Sequence, residues 1–243
     1  MNWLRQFWTR TGPGIRKDAP PKTGFALLAD VIARNWWDLV QLNLLILLAC
    51  LPLVTIPAAL VASARICVLM LQDKPVYLGR DFLETFRKRF WKATVLGVIA
   101  TLAIALPAYA AFIFLQAARD NIMLALPVAI SASTALFAAI ASAYALTLLA
   151  LRDQPLGLLL KRALLGGLAR PLPALAAIAV VALLWVLHVI FYPVSIFMPV
   201  LINFSFGTLA VIFGVHEAAV RLLAFQGATD GATYAGGSAK SAQ

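Results

Sequence analysis

The residues of this chain that could support chemistry are polar side chains within long apolar segments. If those segments span a bilayer, such side chains are costly and face other helices or a water-filled cavity. Pro52 and Pro57 bracket Thr55, and prolines so close together break a helix and free backbone groups. The break predicts a polar path or docking site, with interhelical hydrogen bonding and snorkelling as the structural alternative. The candidate polar and hinge site comprises Asp38, Asn43, Pro52, Thr55, Pro57 and Arg65.

A second candidate surface is basic and lies in residues 72–92. Phenylalanines recur there every four residues, at positions 82, 86 and 90, while cations occupy the other helical faces. This pattern predicts a basic amphipathic helix that lies on a membrane surface and turns into the membrane at Trp91. The candidate lipid or partner surface comprises Arg87, Lys88, Arg89 and Lys92.

Sequence signatures of enzymes are absent from the chain. It contains no GxxxxGK[ST] or GxGxxG phosphate-binding loop and no GxSxG nucleophile elbow. His216 and Glu217 begin an HExxH zinc motif, but Val220 stands where the second histidine is required. We therefore predict a non-enzymatic protein with no catalytic residue, no metal ligand and no cofactor.

The composition excludes a soluble domain. Of 243 residues, 63% are hydrophobic and 12% are charged, whereas soluble domains have roughly 25% charged residues. A compact chain of this size cannot hide so much apolar surface from water. The net charge of +10 would suggest nucleic acid in a soluble protein, but these cations lie in the connections between apolar runs. We interpret them as signals for membrane orientation and lipid contact, without nucleic acid as a partner.

The apolar runs predict one membrane domain over residues 1–225, followed by a disordered tail at 226–243. Its N-terminal part, 1–35, is a basic loop followed by an amphipathic helix. Residues 36–71 form a proline-broken pair of helices, of which the second, 57–71, reaches only about 22 Å against roughly 30 Å of hydrocarbon. Residues 152–171 are basic and predict another surface helix. The remaining membrane helices are predicted at 93–116, 122–151, 172–191 and 195–215.

The distribution of basic residues decides how often 36–71 crosses the membrane. Lysine and arginine are concentrated in 1–34, 72–92 and 152–171, and the other connections are nearly bare. Two crossings, or none if 36–71 is a re-entrant hairpin, place all three basic segments on one side, whereas a single crossing separates the first from the others. The positive-inside rule therefore favours a hairpin. The predicted fold is all-α, a polytopic transmembrane bundle of six membrane helices and amphipathic interfacial helices, with both termini cytoplasmic.

Three stretches of the sequence resemble the YesL-like family of bacterial integral membrane proteins. They are GPGIRKDAPPKTGF, WWDLVQLNLLILLACLPLVTIPAA and DFLETFRKRFWKA, and the resemblance extends in detail over residues 12–95. This resemblance implies that the protein is located in the bacterial cell membrane. It also implies a role in carbohydrate uptake, because family members are commonly encoded beside ABC-type sugar importers. The family has no agreed catalytic or ligand residues to transfer.

Three functions remain open from the sequence. The first is an accessory subunit of an ABC-type carbohydrate importer, whose partners are the lipid bilayer and the importer subunits. The second is a small transporter or channel built around the broken hairpin. The third is a lipid-binding scaffold that uses the basic amphipathic helices. The sequence specifies no substrate and no oligomeric state.

Overall fold

The computed structural model describes residues 24–118 and 121–240, and the chain divides into two compact units, 1–34 and 35–243. Within the first unit, helix α1 spans Phe25–Arg34, and Arg34 forms an ion pair with Asp30 at 3.2 Å. This helix confirms the amphipathic helix predicted at the end of the N-terminal segment. The loop predicted before it lies outside the described residues.

The second unit is an all-α bundle, as predicted. Every regular element among its described residues is helical. Short 3-10 helices lie at Leu53–Thr55 and Ile122–Leu124, and a π-helix lies at Pro199–Asn203. The α-helices are α2 (Trp36–Ala49), α3 (Ile56–Leu71), α4 (Leu78–Ala117), α5 (Ala125–Leu151), α6 (Leu156–Ala169), α7 (Pro171–Ile190) and α8 (Phe204–Lys240).

The centre of the second unit is formed by α3, α5 and α8, which pack against one another. Helix α4 covers α3 and α5, α6 packs on α5, and α7 packs on α8. Tyr144, Leu148 and Val215 are fully buried in this core. By contrast, α4, α5 and α7 expose large apolar side chains such as Leu106 and Leu183. Such exposed apolar flanks fit a lipid bilayer and not water.

Five stretches of the described residues are long and apolar enough to cross a membrane, and a sixth arises if Phe25–Arg34 and Trp36–Ala49 count as one span. The prediction of a six-helix membrane bundle therefore agrees with the structure. The proline break separates α2 from α3. Helix α2 is the shorter of the two, with 14 residues or about 21 Å, whereas the sequence predicted that the second helix would be the shorter. The five stretches are Leu53–Leu71, Leu78–Ala117, Ile122–Leu151, Pro171–Ile190 and Pro199–Ala224.

Helix α4 differs from the prediction because it does not turn at Trp91. It is one helix of 40 residues, about 60 Å long, so the basic stretch is a continuous helical extension of a span. The helix also does not present its phenylalanine face to the membrane surface, as the sequence predicted. Phe82 is buried, and Phe86 and Phe90 pack against the protein core. The aromatic face therefore attaches the extension to the protein instead of to lipid.

The last predicted span also begins and ends differently. The chain makes turns over residues 191–197, passes through the π-helix and continues as α8 to Lys240. Residues 226–240, predicted as part of a disordered tail, are thus helical in the structure, and 241–243 lie outside the described part. Alanine favours helix, and extending an existing helix avoids the cost of nucleation.

Candidate functional site

The structure distributes the predicted polar and hinge residues over several places. Asn43 lies on α2 against the π-helix, Thr55 lies at the break before α3, and Arg65 lies further along α3. Asp38 is half-buried in the first turn of α2, where a carboxylate is favoured by the helix dipole. These residues therefore lie at several separate places, and the polar path or docking site at the break stays a prediction.

Asn43 joins α2 to the start of the last helix. Its side chain is fully buried, and its Nδ2 donates to the carbonyls of Pro199 at 2.9 Å and Val200 at 2.6 Å. Its Oδ1 accepts from the backbone N–H of Phe204 at 2.9 Å and of Ser205 at 3.0 Å. The first N–H groups of a helix lack partners within that helix. The Asn43 amide therefore satisfies the backbone where the π-helix passes into α8.

The proline break is closed by Thr55 and covered by α4. The Thr55 hydroxyl lies 2.5 Å from the carbonyls of both Ala49 and Pro52. Pro57 lies in the first turn of α3, where a missing N–H costs little. Its ring packs so closely on α4 that a Cβ added at Gly97 would lie 2.4 Å from Pro57 Cγ. The break is where the sequence predicted it, but α4 packs directly onto it.

Arg65 and Arg89 meet at the C-terminal end of α5. Arg65 Nη1 donates to the carbonyls of Ala150 at 3.3 Å and Leu151 at 3.5 Å. Arg89 Nη1 donates to the carbonyl of Leu149. The last carbonyls of a helix are unpaired and sit at the negative end of its dipole. The two guanidinium groups therefore cap α5 from α3 and from α4.

Lys92 links α4 to the connection that follows α5. Its Nζ lies 2.6 Å from Asp153 Oδ1 and 3.5 Å from the carbonyl of Gln154. The hydrogen bond and the charge of Lys92 hold the pKa of Asp153 below its ordinary value, with help from Arg89. The Gln154 side chain in turn accepts from Arg162 of α6. The basic stretches 72–92 and 152–171 therefore meet at one end of the second unit, as the charge pattern predicts.

The predicted basic surface divides into two pairs. Arg89 and Lys92 turn inward to the contacts just described, whereas Arg87 and Lys88 remain exposed. Lys88 forms an ion pair with Glu84 at 2.6 Å, one turn earlier on the same helix. Only the outward pair is therefore placed to meet lipid or a partner. The sequence could not separate the pairs, because all four cations lie off the phenylalanine face.

Asn203 is a buried polar residue outside the predicted site. Asn203, in the π-helix, is 1% exposed, and both polar atoms of its side chain lack a hydrogen-bond partner in the described structure. A polar residue inside a predicted span is the sequence signal that marks it. Lys74 and Arg80 were also missed, because their placement beside Arg65 depends on the fold. Within the described residues, no group of three or more His, Cys, Asp or Glu side chains could hold a metal ion.

A protein-family model matches the part of the chain that contains Asn43, the break, Arg65 and the cations of α4. Residues 39–110 match the family model described as "Protein of unknown function, DUF624", the family to which YesL belongs. No curated protein and no solved structure matches the chain. Over residues 39–110, this chain is therefore similar to the DUF624 family.

Proposed function

We propose that this protein is a non-enzymatic accessory subunit in the bacterial cell membrane that assists an ABC-type carbohydrate importer. The sequence resemblance supports the partner class, and the observation behind the accessory role is how the polar residues are used. The side chains of Asn43, Thr55 and Arg65 bind the protein's own backbone, while the apolar flanks and the exposed cations face outward. This division suits a protein that holds its shape and binds others.

The interior contacts favour a structural use of the predicted polar site. The polar atoms of Asn43, Thr55 and Arg65 contact backbone groups of neighbouring segments. In a bilayer, such contacts satisfy backbone groups that a broken helix leaves free. These side chains are thus engaged in joining helices, which favours an accessory protein over a transport path through the hairpin.

The outer surface supplies the features that a partner subunit needs. Leu164, Leu165 and Leu168 of α6 are exposed, and Lys161 lies exposed on the same helix. Arg87 and Lys88 provide exposed charge on α4 at the same end of the unit. Apolar contact supplies most of the area in a protein interface, and charge adds specificity and register.

Co-purification in detergent tests this proposal. Tagged protein is isolated from its native membrane, and importer subunits are quantified by mass spectrometry. We expect the importer's membrane subunits to be enriched with the wild type and reduced with Arg87→Ala/Lys88→Ala. Lys240→Ala serves as a control for general loss of positive charge. Recovery of lipid without importer subunits would overturn the proposal.

The π-helix is the observation that favours a second candidate function, a small transporter. π-Helical turns occur often at functional sites, and this one contains the buried Asn203 amide, for which the described residues supply no hydrogen-bond partner. A transporter reconstituted in liposomes would move a solute, and Asn203→Leu would abolish that flux. Absence of flux across a broad panel of sugars and ions would exclude this candidate.

A further inference from the structure

A cleft at the basic end of the second unit has the composition of an anion site. It has a volume of about 430 Å³ and lies between α3 and the first turns of α4. Arg65, Lys74 and Arg80 line it, together with Asp81 and Glu84. Lys74 and Arg80 are exposed, whereas Arg65 is half-buried at the inner side. Neither the family match nor the proposed function assigns a role to this cleft.

The two carboxylates of the cleft already have partners. Asp81 Oδ2 accepts the backbone N–H of Tyr77 at 2.9 Å, which fixes it at the start of α4. Glu84 Oε1 accepts from Lys88 Nζ at 2.6 Å. Three cations and two carboxylates line the cleft, and Lys88 outside it neutralises Glu84, so the cleft retains positive charge. An anion entering it meets guanidinium and ammonium groups while the carboxylates stay engaged.

Arg65 is placed to bind an anion at the inner side of the cleft. Both of its described hydrogen bonds use Nη1, at 3.3 Å and 3.5 Å, and a guanidinium has five N–H donors in all. Arg89 binds the neighbouring carbonyl of Leu149, so two cations lie at the same helix end. A bound anion would offset this positive charge, because it adds negative charge beside the Arg65 guanidinium.

We propose that the cleft formed by Arg65, Lys74 and Arg80 binds a phosphate group. Arginine matches phosphate geometry with paired N–H donors, and lysine adds a mobile point charge. The volume lies within the range of small-ligand sites. The phosphate belongs either to the head group of an anionic phospholipid or to a phosphorylated solute.

Two binding measurements on the full chain in neutral detergent test the site and identify the source of the phosphate. The first is native mass spectrometry of retained lipid after exposure to equimolar phosphatidylglycerol and phosphatidylcholine. The second is calorimetric titration with inorganic phosphate. Both compare the wild type with Lys74→Gln/Arg80→Gln, whose substituted side chains are exposed and so leave the core intact. Arg152→Gln/Lys161→Gln removes two exposed cations outside the cleft and is the matched control.

For a lipid head group, we expect the double variant to lose phosphatidylglycerol retention about fivefold or more, since each basic residue near a membrane surface raises the affinity for anionic lipid about fivefold. For a phosphorylated solute, we expect phosphate binding to weaken to the same extent while lipid retention is unchanged. The control keeps wild-type binding in both cases. The proposal is overturned if the wild type binds neither probe, or if the double variant binds like the wild type. An equal loss in Arg152→Gln/Lys161→Gln also overturns it.

Discussion

At the scale of single residues, Asn43 and Asn203 form a natural pair for mutation. Both are buried amides, but Asn43 makes four hydrogen bonds to the backbone and Asn203 has no described partner. Interhelical hydrogen bonds in membranes contribute about 0.6 kcal/mol each on average. We expect Asn43→Leu to lower the free energy of unfolding in detergent by about 2 kcal/mol. We expect Asn203→Leu to leave it unchanged or to raise it, and a loss equal to that of Asn43→Leu would contradict this account.

The sequence predicts that Asn43 is buried and engaged, but it does not predict the partner. Asn43 is close along the chain to Pro52 and Thr55, so it was grouped with the proline break. Its actual partners are more than 150 residues away, in the π-helix and α8. The cost of a polar group in lipid follows from residue type, whereas the choice among distant partners depends on how the helices pack.

The ion pair between Lys92 and Asp153 predicts a specific pH dependence. Because the pKa of Asp153 is lowered in the folded protein, the stabilisation is present above the pKa of the unfolded chain and is lost as pH falls through the folded value. Partly exposed pairs contribute at most about 1 kcal/mol. We expect Asp153→Asn to lower the melting temperature slightly at neutral pH and to match the wild type in strong acid. A difference that persists in acid would show that the ion pair is not its cause.

At the scale of elements, close packing of α4 on α3 depends on one glycine. A Cβ at Gly97 would lie 2.4 Å from Pro57 Cγ and 2.5 Å from its Cβ, so the helices must separate. Overpacking of this kind costs typically about 1–3 kcal/mol. We expect Gly97→Ala to destabilise the protein by that amount in chemical unfolding. Gly79→Ala on the same helix meets open space and should be neutral or slightly stabilising, and equal stability of the two variants would refute the packing.

The continuity of α4 is a second prediction at this scale. Spin labels at Gly79→Cys and Leu102→Cys are 23 residues apart, or about 34 Å along a straight helix. A right-angle turn at Trp91 would reduce the separation to about 25 Å. We expect pulsed electron paramagnetic resonance to give the longer distance between the two labels, in a background where Cys50 and Cys67 are replaced by alanine. The shorter distance would restore a helix that lies on the membrane surface.

The continuous α4, where a turn was predicted, shows which element boundaries can be predicted from the sequence. The proline break and the spans ending at Leu151 and Ile190 were predicted, because prolines and the loss of apolar residues mark them. The change from charged to apolar at Trp91 was interpreted as a turn, although no residue there breaks a helix. Charge shows where water begins, and it does not show whether the backbone bends.

At the scale of the whole molecule, the distribution of cations was more informative than any motif. Counting membrane crossings with the positive-inside rule predicted that the basic connections lie on one side of the membrane. The contacts of Lys92 with Asp153 and of Arg89 with Leu149 join two of them at one end of the second unit. The third, the N-terminal segment, lies largely outside the described residues. Which side of the membrane this end faces remains a prediction from the positive-inside rule.

Cysteine accessibility in intact cells tests this topology most directly. In a background free of Cys50 and Cys67, Lys88→Cys and Lys161→Cys report on the basic end, and Val194→Cys reports on the opposite end of α7. We predict that a membrane-impermeant maleimide labels Val194→Cys in intact cells and labels the other two only after permeabilisation. Labelling of Lys88→Cys from outside intact cells would contradict the account.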